Sequence, residues 1–181
     1  APSGYFDSVE LFELDTLIGG KGINNPELVH ALASNSADAI QWLESVGAPL
    51  PSVSSFGGAS VKRIHRPVNA EGKTVSVGTF MLPILEENAK KIGADLRLET
   101  RAEKLLTDES GKVVGVEAVG PTGEKVTVHA KAVILASGGF GANLEMVTKY
   151  RPELEGFMTT NAKGALGDGI VMGEEVGAAT V

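Results

Sequence analysis

Three stretches of the sequence combine residue types that could contact a charged ligand. The first is an apolar run, Ala132 to Ala136, that ends on Ser137, Gly138 and Gly139. Ligands in open α/β sheets sit at the carboxyl ends of strands, and glycine lets backbone N–H groups approach a bound phosphate closely. A plain strand-to-helix turn that needs glycine for its geometry would use the same residues. The residues alone leave both interpretations open.

The second stretch is a polar loop, residues 159–169, that places Asp168 between Gly167 and Gly169 just before a predicted helix. A carboxylate at this point can cap the helix N-terminus, since Asp is a preferred N-cap residue. It can equally accept hydrogen bonds from a ribose-type hydroxyl. Both roles remain open from the spacing.

The third stretch, residues 56–67, collects Lys62, Arg63, Arg66 and the imidazole of His65 in a region rich in glycine and serine. Three cations in a flexible loop could steer an anionic substrate or bind a pyrophosphate. A solvated basic loop is the simpler interpretation.

Several kinds of chemistry are excluded by what the sequence lacks. It has no cysteine, which rules out disulfides, iron–sulfur clusters and cysteine-ligated zinc. It has no pair of histidines at metal-ligand spacing and no Ser-centred nucleophile elbow. It also has no G-x-G-x-x-G fingerprint, so a dinucleotide site on these residues would lack its first βα turn.

The composition and charge of the sequence argue against some classes of binding partner. The 181 residues are 43% hydrophobic and 22% charged, which is ordinary for a globular domain. The net charge of −7 and the lack of any basic run argue against nucleic acid and anionic membranes. No apolar stretch approaches the ~20 residues of a spanning helix, so we expect no membrane insertion.

The spacing of apolar residues predicts the helices and strands that position these three stretches. Asn25 and Pro26 form a helix start, with Asn as N-cap and Pro at the first helical position. Residues 49–78 lack periodicity and are predicted to form an irregular loop. Apolar residues at helical spacing predict three helices in this half, over residues 7–17, 26–46 and 79–92, the last with Pro83 in its first turn.

From Asp95 onward the apolar period becomes two, which predicts strands. A small antiparallel β-meander is expected from strands at 102–106, 113–119 and 125–129, preceded by a short strand at 96–98. The run 132–136 is apolar throughout, as in a strand buried on both faces of a parallel sheet. Helices are predicted to follow at 143–150 and 169–176.

Read together, these stretches resemble the flavoprotein subunit of soluble fumarate reductases of the flavocytochrome c type and their relatives, the urocanate and other enoate reductases. The motifs that carry the likeness, in family order and at family spacing, are Gly57-Gly58-Ala59-Ser60, His65-Arg66-Pro67, Thr100-Arg101, the run Val133–Phe140, Gly156-Phe157, Thr160-Asn161 and Gly167-Asp168-Gly169.

The resemblance implies an α/β fold, part of a Rossmann-like FAD-binding domain that includes the small antiparallel β-meander. Residues 1–181 would be a partial FAD-binding domain, without the first βα dinucleotide turn and without the family's capping domain. The family's proton-donating arginine and its substrate-binding His and Arg residues have no counterpart here. We therefore expect no catalytic residue within the chain, and no activity from the chain alone.

FAD is the cofactor that the resemblance implies. Ala102 aligns with a residue whose backbone meets the adenine. Ser137, Gly138 and Gly139 align with a turn against the FAD, and Asp168 with a carboxylate that contacts it. The resemblance thus favours a cofactor role over a purely structural one for both the glycine turn and Asp168.

The implied reaction is reduction of the C=C bond of a small α,β-unsaturated carboxylate, such as fumarate or urocanate, by hydride from flavin N5. Phe56 aligns with a bulky apolar side chain over the substrate, where fumarate-specific members have Met, and an aromatic ring there suits a planar or larger enoate. The alternatives are another flavoprotein of the same superfamily, such as a ketosteroid dehydrogenase or an amino-acid oxidase-like protein, and a non-catalytic nucleotide-binding module.

Overall fold

The computed structural model describes residues 4–180, and they form two compact units that divide between Leu96 and Arg97. The first unit contains three helices and a short two-stranded sheet. The second contains a three-stranded sheet, two helices and a 3-10 turn. Among the described helices, none is both long and apolar enough to cross a membrane.

The helices of the first unit are α1 (Val9–Gly19), α2 (Pro26–Ser45) and α3 (Val77–Lys91). The start of α2 follows the sequence signal. The Asn25 side chain accepts hydrogen bonds from two backbone N–H groups of the first turn of α2, which confirms the predicted cap.

Helix α3 begins two residues earlier than predicted, which changes the setting of its proline. Pro83 lies in the second turn and not in the first, so the helix lacks one internal hydrogen bond there. The Asn88 side chain donates hydrogen bonds to the carbonyls of Ile84 and, 2.9 Å away, Val46. Asn88 thereby ties α3 to the residue that ends α2.

The sequence predicts an irregular loop over residues 49–78. The structure instead places two short antiparallel strands in this region, β1 (Ser52–Ser54) and β2 (Ile64–Arg66). Three-residue strands are too short to show a period in the sequence. Pro67, which follows β2, is fully buried.

The sheet of the second unit confirms the predicted meander. Its strands are β3 (Arg101–Thr107), β4 (Val113–Val119) and β5 (Lys125–His129), paired antiparallel in the order β3-β4-β5. The Asp108 carboxylate shapes the turn between the first two strands by accepting hydrogen bonds from the backbone N–H groups of Ser110 and Lys112.

Two predicted strands are wrong. Residues 96–98 form no strand, and Leu98 is 78% exposed. Residues 132–136 form neither strand nor helix, and Ile134 is 88% exposed where burial on both faces was expected. A parallel strand needs neighbours for its ladder hydrogen bonds. Within residues 4–180 no strand pairs with this run, so its apolar side chains have no sheet to pack in.

The remaining elements are α4 (Leu144–Tyr150), a 3-10 turn at Pro152–Leu154, and α5 (Asp168–Glu175). The Asn143 side chain caps α4 by accepting from the Met146 N–H, and its amide donates to the Leu166 carbonyl at 3.0 Å. This pair of bonds links the start of α4 to the loop that leads into α5.

Candidate functional site

The two glycine-rich turns singled out in the sequence lie against each other in the second unit. The Gly167 N–H donates to the Gly139 carbonyl at 3.2 Å. A Cβ built at Gly169 would lie closer than van der Waals contact to the Ser137 hydroxyl oxygen, so the two turns approach closely at this glycine. Residues 137–139 and 167–169, some thirty positions apart, therefore form one surface.

Gly167 is required by its backbone conformation as well as by space. Its φ is +81°, in the left-handed region that glycine adopts at little cost. A Cβ there would lie 2.8 Å from both the Phe140 Cβ and the Met146 Sδ. Only glycine fits the position that begins α5.

Asp168 does not cap α5, so the N-cap interpretation of this residue is wrong. Gly167 is the N-cap residue and Asp168 is the first helical residue. The carboxylate instead accepts two hydrogen bonds from Arg101, from Nε and Nη2, each 3.1 Å long. These bonds raise the pKa of the Arg101 guanidinium.

The Asp168 side chain is 32% exposed, so its carboxylate remains reachable. A carboxylate offers about four lone-pair sites, of which Arg101 occupies two. Each oxygen can still accept a hydrogen bond from a ligand hydroxyl.

Ala102 follows Arg101 in β3, opposite Ala118 of β4, and is half-buried. The pairing of β3 with β4 is irregular between Ala102 and Lys104, and α5 packs against β3. The second unit thus holds all the residues predicted for the cofactor, namely Ala102, Ser137, Gly138, Gly139 and Asp168.

Phe56 belongs to the first unit. It lies in the loop between β1 and β2, where the Ala59 N–H donates to the Phe56 carbonyl at 3.1 Å and closes a turn. Gly58 has a φ of +85°, and no atom lies within 4 Å of a Cβ built at Gly57 or Gly58. The Phe56 side chain is 69% exposed. The loop therefore presents an aromatic ring to the surroundings.

Arg63, one of the three cations in the basic stretch, is committed to internal contacts. The Arg63 side chain is 9% exposed and is bound by two carboxylates. Its Nη1 donates to Asp15 at 2.6 Å, and its Nε and Nη2 donate to Asp7 at 2.8 and 2.9 Å. Lys62 lies 5.1 Å from the centre of the Tyr5 ring. Arg63 is therefore not available to a substrate or pyrophosphate.

Asp15, on α1, is buried and satisfied by Ser60 as well as by Arg63. Its two oxygens accept from the Ser60 N–H at 2.8 Å and from the Ser60 hydroxyl at 2.5 Å. The two hydrogen bonds from Ser60, followed by the hydrogen bond and the charge of Arg63, lower the pKa of Asp15 to about 2. We call Asp7, Asp15, Ser60 and Arg63 the Asp15 cluster.

The sequence analysis missed Asp7 and Asp15 because their partners lie 45 to 56 positions away. A single acid on a short helix carries no signal of such a contact. Among the described residues, no group of His, Asp and Glu is arranged to hold a metal ion.

Comparison with known proteins decides the family. The family described as FAD binding domain matches residues 1–181. The chain belongs to this family. FAD is accordingly its cofactor, as the resemblance implied.

Two curated relatives are similar to the chain over nearly all of its length. A fumarate reductase (cytochrome) of Shewanella frigidimarina is 44% identical over 96% of the chain, and a urocanate reductase of Eggerthella lenta is 39% identical over 97%. The chain spans 30% and 29% of these two relatives.

Two solved structures match the fold. The open conformation of a flavocytochrome c3 fumarate reductase matches 98% of the chain and 31% of its own, with a TM-score of 0.91 and 40% identity. A 3-ketosteroid-Δ4-(5α)-dehydrogenase of Rhodococcus jostii matches 97% of the chain and 42% of its own, with a TM-score of 0.86 and 25% identity.

The glycine turn of this FAD-binding domain is suited to a cofactor. Ser137, Gly138 and Gly139 are exposed, and their N–H groups donate no hydrogen bond to any residue among 4–180. No atom lies within 4 Å of a Cβ built at Gly138 or Gly139. Exposed backbone donors without a protein partner, next to an accessible carboxylate, fit one side of a nucleotide cofactor.

Proposed function

We propose that the protein to which this chain belongs reduces the C=C bond of a small α,β-unsaturated carboxylate, with FAD as its cofactor. One observation carries the proposal. The glycine turn at 137–139 and Asp168 form a single surface with free backbone donors, in a chain 44% and 39% identical to a fumarate and a urocanate reductase.

The residues of this chain bind and orient, and they take no part in proton transfer. When bound, FAD supplies the hydride, which goes from flavin N5 to the β-carbon of the enoate. The N–H groups of residues 137–139 and the carboxylate of Asp168 hold one side of the cofactor, and the backbone of Ala102 meets its adenine. Proton donation is assigned to residues beyond this chain.

Phe56 is proposed to cover the substrate and to select among enoates. Its ring is exposed on a loop with no bulky neighbour at the adjoining glycines. An aromatic face stacks on a planar ring better than the thioether of Met does. The proposal therefore favours a larger enoate that carries a planar ring, such as urocanate, over fumarate.

Residues 1–181 are proposed to be part of the FAD-binding domain only, with the first βα turn and the capping domain supplied elsewhere. The exposed apolar run at 132–136 supports this division, because it is suited to a sheet that the described residues do not contain. The chain alone would be inactive and would bind FAD weakly. Immobilising a large cofactor costs roughly 4–15 kcal/mol, which half a site does not recover.

A second candidate is dehydrogenation of a ketosteroid, favoured by the match to the Rhodococcus jostii enzyme at a TM-score of 0.86. The lower identity of 25%, against 44% for the fumarate reductase, makes it the weaker candidate. A non-catalytic nucleotide-binding module is the remaining alternative.

A substrate panel tests the proposal. The full-length protein, loaded with FAD, is assayed for oxidation of a reduced dye by fumarate and by urocanate, and for dehydrogenation of the 5α-saturated steroid 5α-androstane-3,17-dione with an oxidised dye. Free FAD with the same dyes gives the background. Turnover with an enoate and none with the steroid is expected. Steroid turnover alone, or no turnover with any of the three, would overturn the proposal.

A further inference from the structure

The loop that carries Phe56 has little packing of its own. Residues 55–63 join β1 to β2, and one side of the loop is held by the pairing of Ser54 with Ile64. No atom lies within 4 Å of a Cβ built at Gly57 or Gly58. Glycine also loses more backbone conformational entropy than any other residue when it is held in one conformation. Something outside the turn must therefore fix its conformation.

Ser60 supplies that second attachment. Its backbone N–H and its hydroxyl both bond to Asp15 on α1, at 2.8 and 2.5 Å. Ala59, the residue before it, donates to the Phe56 carbonyl and closes the turn. The position of Phe56 is thus connected to α1 through two consecutive hydrogen-bonded residues.

Arg63 holds Asp15 in place and is itself held on three sides. Its Nη1 bonds to Asp15, its Nε and Nη2 bond to both oxygens of Asp7, and its guanidinium lies 4.7 Å from the centre of the Phe12 ring. A bidentate pair fixes orientation as well as distance.

The arrangement is buried. The side chains of Arg63 and Asp15 are 9% and 7% exposed, so neither can exchange its partner for water. Removing one member of a buried pair leaves the other charge uncompensated. The loop end at Ser60 therefore has one favourable position on α1.

We infer that Asp15 and Arg63 are positioning residues that fix the turn at 55–60 and thereby set how Phe56 discriminates between enoates, an inference that rests on the function proposed above. Both side chains are buried and bonded to groups of the protein. Their effect is transmitted from α1 through Ser60 to the turn, so it appears in substrate preference and not only in stability.

The test uses two changes in the full-length, FAD-loaded protein. Asp15→Asn keeps the size of the side chain but removes its charge and one acceptor oxygen. Ser60→Ala removes the hydroxyl bond and keeps the backbone bond, so it is the milder change. The control is Asn88→Ala, which removes the hydrogen bond from α3 to Val46 at the end of α2 and destabilises the same unit without touching the loop.

Three quantities are measured for each protein: the melting temperature, the hydrogen exchange of amides 56–60, and the ratio of kcat/KM for urocanate to that for fumarate. We expect Asp15→Asn to speed exchange in the loop and to shift the ratio by roughly 10-fold, the low end of what one apolar pocket contact is worth. Ser60→Ala shifts it less. Asn88→Ala lowers the melting temperature and leaves the ratio unchanged.

Repeating Asp15→Asn in a Phe56→Ala background separates positioning from general damage. If the Asp15 cluster acts through Phe56, the shift in the kcat/KM ratio caused by Asp15→Asn disappears in that background. A ratio that stays within 2-fold of the wild type, a shift that persists without Phe56, or an equal shift in Asn88→Ala would overturn the inference. Failure of the proposed function is distinct, because the wild-type protein itself would then turn over neither enoate.

Discussion

The carboxylate of Asp168 receives both of its protein hydrogen bonds from Arg101, a residue 67 positions earlier in the chain. The pairing holds the carboxylate beside β3 and away from the N–H groups at the start of its own helix. Asp168, whose spacing is compatible with a helix cap, therefore keeps free lone pairs on its carboxylate. These lie on the surface that it shares with the 137–139 turn.

Loss of the Asp168 carboxylate is predicted to weaken FAD binding. Asp168→Ala and Asp168→Ser should each raise the dissociation constant for FAD about 10- to 100-fold, the usual value of a hydrogen bond to a charged group. Serine should not rescue binding, because residue 168 is not the N-cap. The measurement is the ratio of FAD to protein after dialysis of the full-length protein.

The control for Asp168 is Glu145→Ala, which removes an acid from the first turn of α4 and should keep its FAD. Full FAD occupancy in Asp168→Ser would show that the carboxylate has no cofactor role.

Phe56→Met is predicted to move substrate preference toward fumarate. The ratio of kcat/KM for fumarate to that for urocanate should rise by about 10-fold or more, since a pocket contact of this size is worth roughly 1–3 kcal/mol. Stability should change little because the ring is 69% exposed. Phe6→Met, at a ring that is 85% exposed, is the control. Equal ratios in the wild type and in Phe56→Met would remove Phe56 from the substrate site.

Gly167→Ala is predicted to be more destabilising than Gly123→Ala. Both glycines have a positive φ, +81° and +86°, so both substitutions incur the same left-handed strain of about 1–2 kcal/mol. Only at Gly167 does the new Cβ collide, with Phe140 and Met146, which adds roughly 1–3 kcal/mol. Denaturant unfolding of the two variants measures the difference, and equal losses would mean that the turn is not tightly packed.

The contribution of Asp15 to stability is predicted to depend on pH. Its pKa is lowered from 3.8 to about 2 in the folded protein, so its ionised form stabilises the fold. That contribution is complete above about pH 4 and is lost as the pH falls through 2. The difference in melting temperature between the wild type and Asp15→Asn should be largest near neutral pH and should shrink between pH 4 and pH 2.

The exposed Asp38 on α2 provides the comparison for this pH series. Asp38→Asn should change the melting temperature little at any pH, because exposed acids contribute little to stability. A difference for Asp15→Asn that stays constant down to pH 2 would contradict a stabilising role for its charge.

Local signals in the sequence were sufficient for most of the helices and the meander. Asn25 and Pro26 mark the start of α2 because capping depends only on neighbouring residues. The alternation of apolar residues locates β4 at Val113–Val119 without error.

Strand pairing and side-chain contacts between residues far apart in the sequence could not be predicted. The run 132–136 has the composition of a buried strand, yet its pairing depends on neighbours that the described residues do not supply. The sequence analysis singled out Asp168 but could not find Arg101 as its partner. It likewise took Arg63 for a loop cation, since nothing local ties that residue to Asp7 and Asp15.

The central claim, that the reduced FAD of the full-length protein reduces an enoate, is tested most directly by flavin reoxidation without oxygen. The full-length protein is loaded with FAD, reduced anaerobically and mixed with urocanate, fumarate or, as a saturated control, succinate, while the flavin absorbance is followed. We predict that the flavin is reoxidised by an enoate and stays reduced with succinate. A flavin that stays reduced with both enoates would contradict the claim.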